Sequence, residues 1–249
     1  GRRSVKVLNY ISRAMPEAEI VAYVDPSPKL VDQLLAAKTP RSFETVDDML
    51  DTSDADLLFV GSPNHMHLDH IASGLRHNVQ VFSEKPLVTT MDDSWALADL
   101  LKKYGADRLI VGWVLRYAPQ IRDLKEQRAN GQLGRMVALE ANEHSEPQHG
   151  GFFMRDWRRM IRWSGGFMLE KCCHDLDIYN MITGARPVEV ASFGGRKSFV
   201  PQFAPTSNTE NESMHRKQSV GESVPDAFHS DGDIIDYQTA ILRYDSGAN

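Results

Sequence analysis

The sequence predicts an α/β protein: a doubly wound parallel sheet, followed by an α+β domain with a large, mainly antiparallel open sheet. Three observations carry that reading. Up to about residue 115, short and almost wholly apolar strands such as "DLLFVGSPN" (56–64) alternate with helical patterns. Strands of that kind are buried on both faces by crossover helices. From residue 116 onward the extended segments lengthen and alternate apolar with polar residues, as in "DIIDYQTAILRYDSG" (233–247), which fits a sheet with one covered face. The composition, 249 residues with 41% hydrophobic and 25% charged, is that of an ordinary globular chain with enough length for two domains.

The elements follow in order. "SVKVLNYISRAM" (4–15) has helical spacing, and "EIVAYVD" (19–25) is a β-branched run stopped at Asp25, Pro26 and Pro28. "PKLVDQLLAAK" (28–38) is expected to be a helix with Pro28 near its start, and "TVDDML" (45–50) a short helix capped by Thr45. The strand "DLLFVGSPN" ends at Gly61, Ser62 and Pro63; "MHLDHIASGLRH" (66–77) is the next helix and "VQVFSEKP" (79–86) the next strand. "MDDSWALADLLKKYG" (91–105) is a helix stopped by Gly105, and "RLIVGWVL" (108–115) another strand.

In the second half, "QIRDLKEQRANG" (120–131) and "GGFMLEKCCHDLDIYNMITG" (165–184) are expected to be helices, the latter closed by Gly184. "GRMVALEANEHS" (134–145), "PVEVASFGG" (187–195) and 233–247 are expected to be long strands. Residues 199–232 are poor in aliphatics and rich in Ser, Pro, Asn, Glu and Gly, and read as a flexible insertion. The domains are therefore set at 1–115 and 116–249. The first lacks an initial strand and most of a glycine-rich turn, the second ends as a strand enters a hairpin turn, and both ends read as cut.

The formal charge of −6 gives no electrostatic reason to expect nucleic acid, and no apolar run approaches the roughly 20 residues that span a bilayer. Two adjacent cysteines make no disulfide framework and point to a reducing compartment, the cytoplasm; a chain opening with Gly1 is compatible with a removed targeting segment.

Ligands of doubly wound sheets sit beyond the carboxyl ends of the strands, which makes Asp25, Asn64, Glu84 and Lys85 candidates together. Asp25 ends the second strand of a dinucleotide-binding unit, where a carboxylate accepts the ribose hydroxyls and repels a 2′-phosphate; NAD is expected over NADP. An acid there is equally a turn former. Pro86 holds Lys85 extended at the sheet edge, where an amine can polarise a hydroxyl or carbonyl; the plain reading is an exposed Glu–Lys pair. On a helix, Glu170, His174 and Asp177 share one face at i, i+4 and i+7, beside a more buried stripe of Leu169, Cys173, Leu176 and Asn180. A carboxylate one turn from an imidazole can fix its tautomer and raise its basicity. Consecutive Cys172, Cys173 and His174 diverge too far to converge on one metal ion, so no metal is expected and both thiols read as inert core.

Together, "VGSPNHMHLDHIASGL", "SEKPL", "GWVLRYAP" and "GGFMLEKCCHDLD" resemble the Gfo/Idh/MocA family of nicotinamide-dependent oxidoreductases, in the family's order and over nearly the whole chain. The resemblance implies a Rossmann domain holding NAD(P), then an α/β domain whose open sheet joins subunits into a homo-oligomer. It implies hydride transfer at a hydroxyl carbon of a sugar, cyclitol or related polyol, with His174 as base, Lys85 stabilising the alkoxide and Glu170 orienting the imidazole. Gly1, Asp25, Ser62, Pro63, Asn64, His67, Glu84, Lys85 and Arg116 fall on the cofactor side. Lys85, Tyr117, Trp157, Glu170, His174 and Asp177 fall on the substrate side. Glu170 stands where the family commonly has aspartate, and Lys171, Cys172 and Cys173 replace the small residues that follow it. The loop "SEPQHGGFFMRDWRRMIRWSGG" (145–166) carries Arg155, Trp157, Arg158, Arg159 and Trp163, which can meet an acidic or ring-shaped substrate or pack at an interface. Two alternatives remain: an NAD-dependent glycosidase of the same family, marked by turnover without net NADH, and a non-catalytic dinucleotide sensor, indifferent to loss of Lys85 or His174.

Overall fold

A computed structural model describes residues 1–34, 39–206 and 226–249 of the chain, which divides into two compact units, Gly1–Gly112 and Trp113–Asn249.

The first unit opens with helix α1 (Arg2–Ala14), then β1 (Ala22–Tyr23) and β2 (Arg41–Ser42), which pair in parallel. Of the helix expected over 28–38, residues 28–34 show a single 3-10 turn at Val31–Gln33, after which Leu34 is extended; residues 35–38 lie outside the described residues. None of the side chains in that turn is buried, so the amphipathic pattern finds no packing to convert it into a full helix. Helix α2 (Val46–Thr52) starts where expected, with Thr45 Oγ1 accepting the Asp48 N–H at 3.1 Å.

Strands β3 (Leu57–Val60), β4 (Gln80–Ser83) and β5 (Leu109–Val111) form a parallel sheet in the order β3-β4-β5, linked by α3 (His67–Arg76) and α4 (Met91–Tyr104). The β1–β2 and β3–β4–β5 ladders are separate sheets among the described residues. Thr90 caps α4 through the Asp93 N–H at 3.0 Å, and Gly105 ends it with φ 102°, a backbone region suited to glycine. The core gathers Val46, Met49 and Leu50 of α2, Leu58, Val60 and Val81 of the sheet, Ile71 and Leu75 of α3 and Leu97 of α4. Ile71, Leu75 and Val81 are essentially inaccessible, each stabilising the unit by roughly 1.5–3 kcal/mol.

In the second unit, α5 (Pro119–Ala129) is followed by two short helices, α6 (Pro147–Phe153) and α7 (Ile161–Ser164), inside the segment read as a loop. Helix α8 (Phe167–Thr183) ends at Gly184, left-handed with φ 62°, whose N–H bonds the Asn180 carbonyl at 2.9 Å. Strands β6 (Pro187–Gly195) and β7 (Tyr237–Tyr244) pair antiparallel. The large sheet expected here is two-stranded among the described residues. Residues 134–145 form no regular strand; among the described residues their backbone meets another stretch of chain at Asn249, whose carbonyl accepts the Leu139 N–H at 2.9 Å and whose N–H reaches Val137 O at 3.3 Å.

The segment read as an insertion is firmly anchored at both ends. Phe199, Ala227, Phe228 and Ile234 share a core with Phe153 and Met154. Arg196 donates to the carbonyls of Phe199, Ala227 and Gly232, and the Asp236 carboxylate accepts the N–H groups of Lys197, Ser198 and Phe199. The rest of that segment, 207–225, lies outside the described residues. No helix among the described residues is long and apolar enough to cross a membrane.

Candidate active site

The candidate residues form two groups, one in each unit. In the first unit they collect at the carboxyl edge of the parallel strands. Asp25 follows β1, accepts the Ser27 N–H at 2.8 Å and lies 3.5 Å from the Gly1 amino group at the start of α1. Ser62, Pro63 and Asn64 follow β3, with Asn64 buried. Glu84, half-buried Lys85 and Pro86 follow β4, and the Lys85–Pro86 peptide is cis.

Each of these positions has a local cause. Glu84 N–H continues the ladder to Val60 O at 2.9 Å, and its buried carboxylate receives Arg3 Nε of α1 at 3.0 Å. His67, only 1% exposed, does not present its ring to a ligand: Nε2 meets Ser62 O at 2.9 Å and Nδ1 meets Pro86 O at 2.7 Å. His70, one turn along α3, meets Ser62 Oγ through Nδ1 at 2.9 Å. Sequence reasoning placed His67 and Glu84 on the cofactor side and did not single out Arg3 or His70; the geometry gives His67 and Glu84 these protein partners.

This edge fits a dinucleotide. Asp25 is a carboxylate at a strand end suited to ribose hydroxyls. At Gly61 a Cβ would stand 2.3 Å from Ser4 Oγ and 3.1 Å from Phe59 Cε1, so α1 lies close against the turn after β3 and a larger residue would require the serine hydroxyl to rotate away.

In the second unit, α8 carries Glu170, His174 and Asp177 at the expected spacing. The buried positions of the helix differ from the expected stripe: they are Glu170, Cys173, Ile178 and Ile182, while Leu169 and Leu176 are half-buried and Asn180 is exposed. Trp113 lies edge-on to the His174 ring at 5.6 Å and 75°. Arg116 grips Asp177 with both arms, Nε to Oδ2 at 2.6 Å and Nη2 to Oδ1 at 2.5 Å, and the carboxylate holds the guanidinium proton more tightly. A residue expected at the cofactor and one expected at the substrate thus meet each other, and neighbouring Tyr117 is 77% exposed.

Glu170 lies 3.5 Å from Arg158 Nε. The Arg158 guanidinium stacks over Phe152 at 4.3 Å and Trp157 at 4.1 Å, which places Trp157 beneath the arginine; burial pushes the guanidinium's affinity for its proton down. Arg155 is buried and donates to Gly151 O at 3.0 Å, and Arg159 bonds Asp231 at 2.6 Å. The loop arginines thus serve mainly to hold the unit together.

A second polar cluster involves α8. Lys171 pairs with Glu143, whose carboxyl is held below its ordinary range, while burial and the nearby Glu143 charge push the Asp175 carboxyl up. Burial also pushes the Cys172 thiol up to about 11, so it is not set up as a thiolate, and the buried Cys173 Sγ contacts Glu170 O at 3.8 Å. Among the described residues no group of three or more His, Cys, Asp or Glu is placed to hold a metal ion.

Residues 1–112 match the oxidoreductase family model described as an NAD-binding Rossmann fold, and residues 125–249 match that family's C-terminal alpha/beta domain. The chain belongs to the Gfo/Idh/MocA oxidoreductase family. It is 29% identical over 160 residues to YteT of Bacillus subtilis (strain 168), covering 64% of this chain and 37% of YteT. It is 24% identical over 182 residues to scyllo-inositol 2-dehydrogenase (NAD(+)) of the same organism, covering 73% of this chain and 51% of that enzyme. Among solved structures, the WlbA dehydrogenase from Bordetella pertussis, in complex with NADH and UDP-GlcNAcA, superposes with a TM-score of 0.75 at 21% identity, covering 100% of this chain and 62% of that one. At that identity the likeness is one of fold. The chain spans about half or less of the length of these two sequence relatives.

Proposed function

We propose that this Gfo/Idh/MocA protein is an NAD-dependent oxidoreductase transferring a hydride between the nicotinamide and a hydroxyl carbon of a sugar, cyclitol or related polyol. The observation that carries the reading is His174, a half-buried imidazole set against Trp113 on the helix that also bears Glu170 and Asp177. The similarity to a scyllo-inositol dehydrogenase supports the polyol class.

When bound, NAD supplies the hydride acceptor. Asp25 accepts hydrogen bonds from ribose hydroxyls, and the turn 62–64 lines the nicotinamide side. A hydroxyl carbon gives up hydride only as its oxygen loses a proton, which His174 accepts. The Lys85 ammonium stabilises the developing alkoxide and relays the proton. Glu170, charge-balanced by Arg158, orients the imidazole. The apolar, solvent-facing side chains of the β6–β7 sheet, Phe193 at 79% and Ile241 at 66% exposed, serve as a homo-oligomer surface. Two free cysteines fit a reducing compartment, the cytoplasm.

Purified protein is assayed with NAD and with NADP against polyols and sugar acids. Lys85→Ala and His174→Ala are each expected to lower kcat by about a hundredfold or more while NAD still binds in a fluorescence titration. Full activity in both variants rules the reading out, and product formed without net NADH transfers the protein to the glycosidase class.

A further inference from the structure

Two histidines one turn apart on α3 grip the residue that opens the cofactor turn. His70 Nδ1 meets the Ser62 hydroxyl at 2.9 Å, and His67 Nε2 meets the Ser62 carbonyl at 2.9 Å. The other nitrogen of His67 meets the carbonyl of Pro86 at 2.7 Å, just past Lys85. His67 therefore bridges two loops that are separate in sequence, and its ring is essentially inaccessible to solvent.

A carbonyl oxygen can only accept a hydrogen bond, whereas a neutral imidazole has one N–H and one lone pair. A neutral His67 would leave a lone pair facing a carbonyl lone pair at one of the two contacts. Two N–H groups satisfy both, and hydrogen bonds at both ends of the ring offset the cost of burying its charge. Burial drives the neighbouring His70 toward its neutral form, with Asp69 and Asp47 acting the other way. On the far side of the pair, the Glu84 carboxylate, one residue before Lys85, is tied to Arg3. The backbone carrying Lys85 is thus fixed on one side through α1 and on the other through α3.

We propose that His67 is a doubly protonated positioning residue that staples the Ser62 carbonyl to the Pro86 carbonyl and so sets Lys85 against the cofactor turn, with His70 as a second grip on Ser62 alone. The proposal rests on the reading of Lys85 as the group that stabilises the alkoxide. Of the histidines that follow the SPN turn, His67 joins two loops and His70, three residues further on, steadies one.

The ring-nitrogen NMR spectrum of the wild-type protein, labelled with 15N-histidine and assigned by comparison with His67→Gln and His70→Ala, tests the protonation state without an assay. The expected result is two protonated nitrogens on His67 at neutral pH and a single neutral tautomer on His70. In kinetics, His67→Gln is expected to lower kcat roughly tenfold and to weaken NAD binding, because one side chain holds both loops. His70→Ala is expected to weaken NAD binding with little change in kcat. A neutral His67 overturns the proposal, as does a kcat for folded His67→Gln within about twofold of wild type. If His67→Gln does not fold, the wild-type spectrum decides, with assignment by difference from His70→Ala. Lys85→Ala separates the two levels: unchanged activity there removes the functional reading and leaves the staple to be decided by the spectrum alone.

Discussion

Arg116 and Asp177 form a two-point ion pair, with guanidinium nitrogens 2.6 and 2.5 Å from the two carboxylate oxygens. Arg116 sits in a 3-10 turn spanning Val114–Tyr117, three residues after Trp113, and Asp177 sits three residues after His174 on α8. The two contacts therefore run side by side, aromatic ring on imidazole and cation on carboxylate. A double-mutant cycle with Arg116→Gln and Asp177→Asn is expected to return a coupling of about 1 kcal/mol in chemical denaturation, since Arg116 is partly solvent-exposed. A coupling indistinguishable from zero would show the pair to be incidental. Arg116→Gln is also expected to shift the pH profile of kcat, because the Asp177 carboxylate, one helical turn from His174, loses the guanidinium that pairs with it.

Arg158 and Glu170 present a harsher case, because both are largely removed from solvent. Arg158→Met removes the guanidinium that lies against the buried Glu170 carboxylate, and is expected to cost about 3 kcal/mol of stability. Arg158→Lys keeps the charge but loses the planar stacking on Phe152 and Trp157, and is expected to fall between wild type and Arg158→Met. Thermal unfolding of the three proteins at one pH checks the order.

His77 carries a pH signature. Its ring meets Ser73 O at 2.7 Å and the Asp51 carboxylate at 3.1 Å, and these contacts, the Ser73 carbonyl first, raise its pKa above the ordinary 6.5. A raised folded-state value stabilises the protein below the unfolded value, and that contribution disappears as pH climbs through the folded one. His77→Gln is therefore expected to lower the unfolding free energy by a few tenths of a kcal/mol near pH 5 and not at all near pH 9. An equal loss at both pH values would contradict the assignment.

Gly74 sits within α3, where alanine would ordinarily favour the helix. Here a Cβ would lie 2.5 Å from Val81 Cγ2 and 3.0 Å from Leu58 Cδ2, both in the core where helix meets sheet. Gly74→Ala is expected to destabilise by about 1–3 kcal/mol, overpacking outweighing propensity. A gain in melting temperature would instead mean that the helix shifts at little cost.

The sequence was most legible where local pattern and packing agree. Apolar runs announced β3 and β4, Thr45 marked a helix start, Gly105 and Gly184 marked helix ends, and helical spacing put Glu170, His174 and Asp177 on one element. Less legible were the partners of those residues. Nothing near Glu170 in sequence announces Arg158, which reaches it from a short turn within a segment that reads as a loop. Likewise the spacing of His67 gives no sign that its ring spans two backbone carbonyls, since the second acceptor lies beyond a strand 19 residues away. Over 28–34, the described part of the helix expected at 28–38, only one 3-10 turn forms, for a related reason: periodicity proposes a buried face, but only a neighbouring surface can bury it.

Arg196 binds one carbonyl before 207–225, that of Phe199, and two after it, those of Ala227 and Gly232, while Asp236 accepts the amides of Lys197, Ser198 and Phe199. Loss of either the Arg196 guanidinium or the Asp236 carboxylate therefore strands several backbone groups at once, so a single substitution at this crossing point would loosen more of the unit than its one side chain suggests.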